Sequence, residues 1–401
     1  MFFSCTAINH DNCTHNQQVS RRMERYSNNE VTSSMKGMTA GVTAGVTAGA
    51  RAKKAHEGLR IDIHAHYLNT EVAGKAAVLK PFEKEPSIIY ATQQTREVNM
   101  AQMKIRGAKL SDIATRLADM DRMGIDIQAV SPAPSQYYYY ADPGFGLELA
   151  RGVNDGIAKV VAGHPDRFVG VGTVPLQDPE LATRELVRCV QKLDFRGIEI
   201  GTNVNGMDLA DRRLGLDKFF AKAESLGTML FLHPMGFTHG ERMTEHYFNN
   251  FIGNPLESTL AVSHLIFGGV LERFPKLKFC VPHGGGYMTM AHARMDHGWK
   301  ARPDAQLFIK KKPSSYLKKF YFDTVTFSPE LITGLVEQFG PKQVMMGSDY
   351  PFDMGDKDPV GLVQRAPRLS ADTQAQILGG NAARLLNIKP SRVRKSKTPG
   401  S

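Results

Sequence analysis

No apolar run in this chain approaches the roughly 20 residues that a membrane-crossing helix needs, which sets aside a helical membrane protein. Cysteine is scarce, four residues in 401, and no Cys-x-x-Cys pair occurs. Cys189 and Cys280 lie inside the apolar patterns of a helix and a strand, where cysteine behaves as a small core residue. That usage fits a reducing cytoplasm, and cytoplasmic is the expected location. The first 58 residues also lack the apolar centre of a secretory signal.

Charge is lacking where a nucleic-acid binder would need it. The net charge is +10, but residues 1–58 carry seven Lys/Arg against four Asp/Glu, and residues 389–401 carry five against none. The body is left with 38 basic against 36 acidic residues. With no reading motif and no evident basic face, no nucleic-acid partner is expected.

What is present divides into three parts. Residues 1–58, rich in Asn, Ser, Thr and Gly and carrying the repeat "TAGVTAGVTAGA", read as a disordered leader. Met35 and Met38 leave room for a later start, and Asp11, Glu24 and Glu30 argue against a transit peptide. Residues 389–401 read as a basic disordered tail. Between them, 59–388 has the hydrophobic content of a globular domain.

Within that body, eight short strand-like runs alternate with helix-length segments: 61–66, 125–132, 168–176, 197–202, 228–234, 278–283, 320–326 and 343–349. Helix starts are marked by Asp178-Pro179-Glu180 and Ser328-Pro329-Glu330, a capping residue ahead of proline at the first helical position. Ile113, Leu117, Met120 and Met123 recur at helical spacing as one buried stripe. Eight β/α alternations at this length predict an α/β fold of the (β/α)8 barrel type. A doubly wound open sheet is the alternative, although no Gly-rich phosphate turn follows the first strand. Residues 67–110, too long for a βα loop and without a clear helix, predict a lid inserted over the active face.

Such barrels place active sites at the C-terminal ends of their strands. His64 and His66 end strand 1 and, by strand alternation, share a face. His233 ends strand 5, His283 strand 6 and Asp349 strand 8. Each has a plain structural explanation alone; five at one mouth predict a site for Zn²⁺, Mn²⁺, Fe²⁺ or Co²⁺ with an open, catalytic position.

The segments "DIHAH", "FLHPMG", "PHGGGY" and "GSDYPF", with "GVGTVPLQDPELA" and "RGIEIGTNVNG" between them, resemble the amidohydrolase superfamily. The likeness is to the branch around 2-amino-3-carboxymuconate-6-semialdehyde decarboxylase and related enzymes that decarboxylate aromatic acids, and it runs from about 60 to 388. It implies His64, His66, His233 and Asp349 as ligands of one divalent ion, zinc first and manganese second, with no organic cofactor. His283 becomes the acid/base histidine. Arg294 matches an arginine that reaches across a homodimer interface to a substrate carboxylate, and Arg106 is a second carboxylate anchor. Phe352 and Tyr247 match aromatic positions lining the cleft. The expected reaction is non-oxidative decarboxylation of an aromatic or muconate-type acid, with His283 helping to deliver a proton to the carbon that bears the carboxylate. Met235 and Tyr247 stand where the namesake has tryptophan, so its substrate does not carry over. Hydrolysis of an amide, lactone or related bond in the same pocket stays open, as does a binding barrel without catalysis. The lack of a lysine in "GIEIGT" favours one metal over two.

Overall fold

The structure, a computed structural model, describes residues 58–389; the expected leader, apart from Gly58, and the tail, apart from Lys389, lie outside the described residues. Eight parallel strands pair in chain order, β1 (Ile61–Tyr67), β2 (Ile127–Pro132), β3 (Phe168–Gly172), β4 (Gly197–Gly201), β5 (Met229–His233), β6 (Lys278–Val281), β7 (Phe320–Asp323) and β8 (Val344–Met345). The ring closes where β1 meets the end of β8: Ile63 N donates to Met346 O (3.0 Å), Asp349 N to His64 O (2.9 Å) and His66 N to Tyr350 O (2.8 Å). The predicted eight-stranded α/β barrel is the observed one.

Helices follow the strands as the capping signals require. Asp178 accepts from the backbone N–H of Glu180 and Leu181 at the start of Pro179–Gln191, and Ser328 accepts from Leu331 at the start of Pro329–Phe339. Asp112 caps Ile113–Met123, whose Met120 is fully buried while Ile113, Leu117 and Met123 pack against the same core. Cys189 and Cys280 are both buried. A short hairpin, Asn203–Val204 with Met207–Asp208, interrupts the βα link after β4.

Residues 67–110 depart from expectation in one respect: they contain a 19-residue helix, Gln93–Ser111, capped by Thr92. Its apolar residues do not fall on one stripe, since Met100 and Ile105 are exposed while Leu110 is buried, and periodicity therefore gave no helical signal. The segment also carries Glu85, 3 % exposed, whose carboxylate accepts from Tyr140 Oη at 3.3 Å. Burial, only partly offset by that bond, pushes the carboxyl up to about 7. A pKa higher in the folded than in the unfolded chain means that stability is intact below the ordinary glutamate range. It is lost progressively as pH rises toward 7, by about 3 kcal/mol at most. Glu85→Gln should therefore melt above the wild type at about pH 8.5 and close to it at about pH 5; a pH-independent difference would show that Glu85 does not ionise in place.

Candidate metal centre and active site

Strand alternation puts Asp62, His64 and His66 on one face of β1, and all three are fully buried. His64, His66 and His233 each commit Nδ1 elsewhere. His66 Nδ1 lies 2.9 Å from Pro132 O and His233 Nδ1 lies 2.7 Å from Pro134 O. His64 Nδ1 lies 2.6 Å from Asp323 Oδ2. Carbonyl and carboxylate oxygens only accept, so all three rings carry hydrogen on Nδ1 and turn Nε2 lone pairs inward.

Those lone pairs have no donor to meet. His64 Nε2 and His66 Nε2 stand 2.9 Å apart. Asp349 Oδ1 lies 3.3 Å and 3.2 Å from them, and neither it nor the buried His233 Nε2 has a hydrogen-bond partner. One donor atom from each of His64, His66, His233 and Asp349 falls within 4.8 Å of all the others. A buried group of acceptors facing one another costs free energy unless a cation sits among them. Three imidazoles and one carboxylate are the donor set of a first-row divalent ion, so the residues fit a metal. Burial opposes a charge on His64, but the carboxylates of Asp349 and Asp323 hold it up at about 10, a measure of how strongly the site favours positive charge. Burial and the other imidazoles push His233 well below its ordinary range, and the histidines hold Asp349 well below the carboxylate range despite its burial.

Sequence reasoning missed the groups that hold these ligands. Asp323, at the end of β7, accepts from His64 with Oδ2 and from Gly284 N (2.9 Å) and Val325 N (3.1 Å) with Oδ1. Its position matched that of Asp349, an acid closing a barrel strand, and that was the available signal. Asp323→Asn should weaken metal binding 10- to 100-fold, as loss of such a partner does; an unchanged affinity in chelator competition would mean that His64 keeps its tautomer by other means. Behind β1, Asp62 accepts from Ser348 Oγ (2.6 Å) and Gln128 Nε2 (2.9 Å), and Gln128 accepts from the fully buried Arg116 (2.8 Å). Arg116 also donates to His66 O and stacks over the Tyr350 ring. Glu199 on β4, where no lysine was found, is buried 3.8 Å from His66 Nδ1 and accepts from Tyr137 Oη at 2.7 Å. Four tyrosines in a row, 137–140, pack this side of the barrel: Tyr137 to Tyr139 are buried, and Tyr139 Oη accepts from Gly201 N.

His283 stands beside the ligand cluster. Its Nε2 is 3.6 Å from Asp349 Oδ2, its ring centroid is 5.3 Å from that of His233, and its buried Nδ1 has no hydrogen-bond partner. His283 and Asp349 both adopt left-handed backbone (φ 55° and 58°), uncommon for residues other than glycine and concentrated at functional sites. Gly284, Gly285 and Gly286 follow with positive φ, and a side chain at Gly286 would strike Pro255 O.

A cavity of about 320 Å³ opens over this cluster, lined by His233, His283 and Asp349. Arg106, Tyr247 and Phe352 line it too. The Phe352 ring lies 5.2 Å from that of His66. Segment 70–111 supplies part of the wall through Ser87, Ile88 and the helix carrying Arg106. Arg294 is not brought to the cavity; it is exposed on the helix Met288–Ala301. No helix among the described residues is long and apolar enough to cross a membrane.

Comparison with known proteins agrees with the geometry. The amidohydrolase family model matches residues 61–388. The 2-amino-3-carboxymuconate-6-semialdehyde decarboxylase of Dictyostelium discoideum is 38% identical over 282 residues, 70% of this chain and 78% of that one. A gamma-resorcylate decarboxylase of Polaromonas sp. is 26% identical over 70% of this chain and 89% of its own. Among solved structures, the 5-carboxyvanillate decarboxylase of Sphingomonas paucimobilis superposes with a TM-score of 0.74 at 28% identity, covering 82% of this chain and 99% of that one. A barrel with three inward Nε2 atoms and one carboxylate at its mouth, matched by that model from β1 to the last helix, belongs to the amidohydrolase family, in its 2-amino-3-carboxymuconate-6-semialdehyde decarboxylase-like branch.

Proposed function

We infer that the chain is a metal-dependent, non-oxidative decarboxylase that releases CO2 from an aromatic or muconate-type carboxylic acid. The carrying observation is the set of unpartnered Nε2 and Oδ1 atoms under a cavity that also holds a non-ligand histidine and an arginine. His64, His66, His233 and Asp349 hold one divalent ion, zinc in the first instance and manganese in the second, and the ion supplies Lewis-acid stabilisation of developing negative charge. Segment 67–110 acts as the lid.

This chain's own groups do the rest. Arg106 draws in and orients a carboxylate through charge-assisted hydrogen bonds. Phe352 and Tyr247 flank the ring and keep water from it. His283 Nε2 carries the proton that is added to the carbon bearing the carboxylate. The C–C bond then breaks, CO2 leaves, and its electron pair restores the conjugation. One proton enters for each CO2 released, and no electrons are exchanged with a cofactor.

Hydrolysis would use the same pocket but yield no CO2. Incubating metal-loaded protein with hydroxybenzoic, vanillic and muconate-type acids, and in parallel with amides and lactones of such acids, decides: evolved CO2 matching acid consumed supports decarboxylation, and amide or lactone cleavage with no gas from any acid replaces it. Arg294 acts in the site of a second copy. Mixing inactive H283A and R294A chains should then restore up to about a quarter of wild-type activity, since mixed dimers place both lesions in one site and leave the other intact; no recovery between chains that do exchange removes the cross-subunit role.

A further inference from the structure

Arg106 does not face the cavity as a free cation. Its Nη1 lies 3.3 Å from Asp353 Oδ1 in the loop after β8, with the two side chains 21% and 30% exposed. Both line the cavity, and histidine aside, the charged side chains on its wall are Arg106, Asp349 and Asp353. Asp349 belongs to the ligand cluster. Asp353 therefore places a negative charge on the one arginine or lysine of the lining, and among the described residues it has no other ion-pair partner. Its field reaches into the pocket: burial first, then Asp353 and Asp349, push the Tyr247 phenol up, with Arg106 only partly offsetting them.

We propose that Asp353 is a specificity-determining residue: by holding Arg106 it makes the cavity one for acids with a single carboxylate and biases it against those with a second. A first carboxylate has the metal end of the cavity and the Arg106 donors that Asp353 leaves free to neutralise it. A second, directed at the Arg106 end, must displace Asp353 or sit beside it, and like charges at that distance repel even when half-screened. Neutral groups meet no such obstacle. Gln102 and Asn99, one and two turns before Arg106 on the same helix and also lining the cavity, offer donors and acceptors to a ring hydroxyl or methoxyl. The substrate class is thus a hydroxylated aromatic monocarboxylic acid rather than a dicarboxylic muconate.

This rests on the decarboxylase reading, and the test separates the two. Wild type and D353N, both checked for equal metal content, are compared on a hydroxybenzoic acid and on the same ring with a second carboxylate, by kcat/KM for CO2 release. In parallel, calorimetry gives Kd for an unreactive pair in which nitro replaces the leaving carboxylate. Any arginine contributed by a second copy is common to both proteins and cancels. D353N should improve the dicarboxylic member relative to the monocarboxylic one by about tenfold in both measurements, with the wild type preferring the monocarboxylic acid. An unchanged ratio, a wild-type preference for the dicarboxylic acid, or an equal loss on both acids (which would make Asp353 a support for Arg106) overturns the proposal. If metal-loaded wild type releases CO2 from no acid, the decarboxylase reading falls, while the Kd ratios still decide the role of Asp353.

Discussion

Turnover by His283→Ala should fall about 10³-fold or more, with bound metal unchanged. His283 is near the ligand cluster but outside it: its Nε2 is 3.6 Å from an Asp349 oxygen, and its Nδ1 is buried without a partner. A ring held that loosely by the protein is free to take its contacts from a substrate. A positioned acid/base group contributes roughly 10²–10⁴-fold, and among the described residues His283 is the only histidine lining the cavity outside the ligand set. The loss should appear in kcat, with KM little changed, because the residue acts on the transferred proton rather than on binding. Metal analysis checks the assignment. Parallel loss of the ion would make His283 a ligand, and retained turnover would move the proton delivery elsewhere.

Asp349→Ala should produce the opposite pattern: no bound metal, and no turnover as a result. Asp349 is the only charged donor in the set, and its Oδ1 is central to it, 3.2–3.3 Å from two Nε2 atoms. Removing it leaves three neutral imidazoles and no anion to offset the ion's charge, so affinity should drop by more than about 10³-fold. Metal content after dialysis reads this directly. A variant that keeps its ion yet is inactive would show Asp349 to be a proton carrier paired with His283 instead. Together the two substitutions separate holding the metal from moving the proton.

Much of this was legible because two periodicities are rigid. Side chains alternate along a strand, so "DIHAH" had to present His64 and His66 together, and ligands at strand ends had to meet at one mouth. The capping acids before proline fixed where helices resume. Less legible was anything set by partners distant in sequence. Asp323 looks like any acid ending a strand until His64 Nδ1 is seen against it. The Arg106–Asp353 pair joins a helix that periodicity did not reveal to the loop after β8, its neighbour across the closing seam but nearly 250 residues away in sequence. β8 proved only two residues long, not 343–349: beyond Met345 the chain still bonds to β1, but Asp349 adopts a left-handed backbone that breaks the regular strand. Arg116 gave no signal, since a fully buried guanidinium is rare and its acceptors come from β1 and β2.

The hydrogen bonds that join β1 to the end of β8 run through the ligand residues themselves, Asp349 N to His64 O and His66 N to Tyr350 O. An ion bound there rivets the two extremities of the domain together, so occupancy and resistance to heat rise and fall as one quantity. During synthesis the four-donor site is complete only once the last strand, with Asp349 beyond it, has emerged. Starvation for the ion would be felt first as a loosened seam.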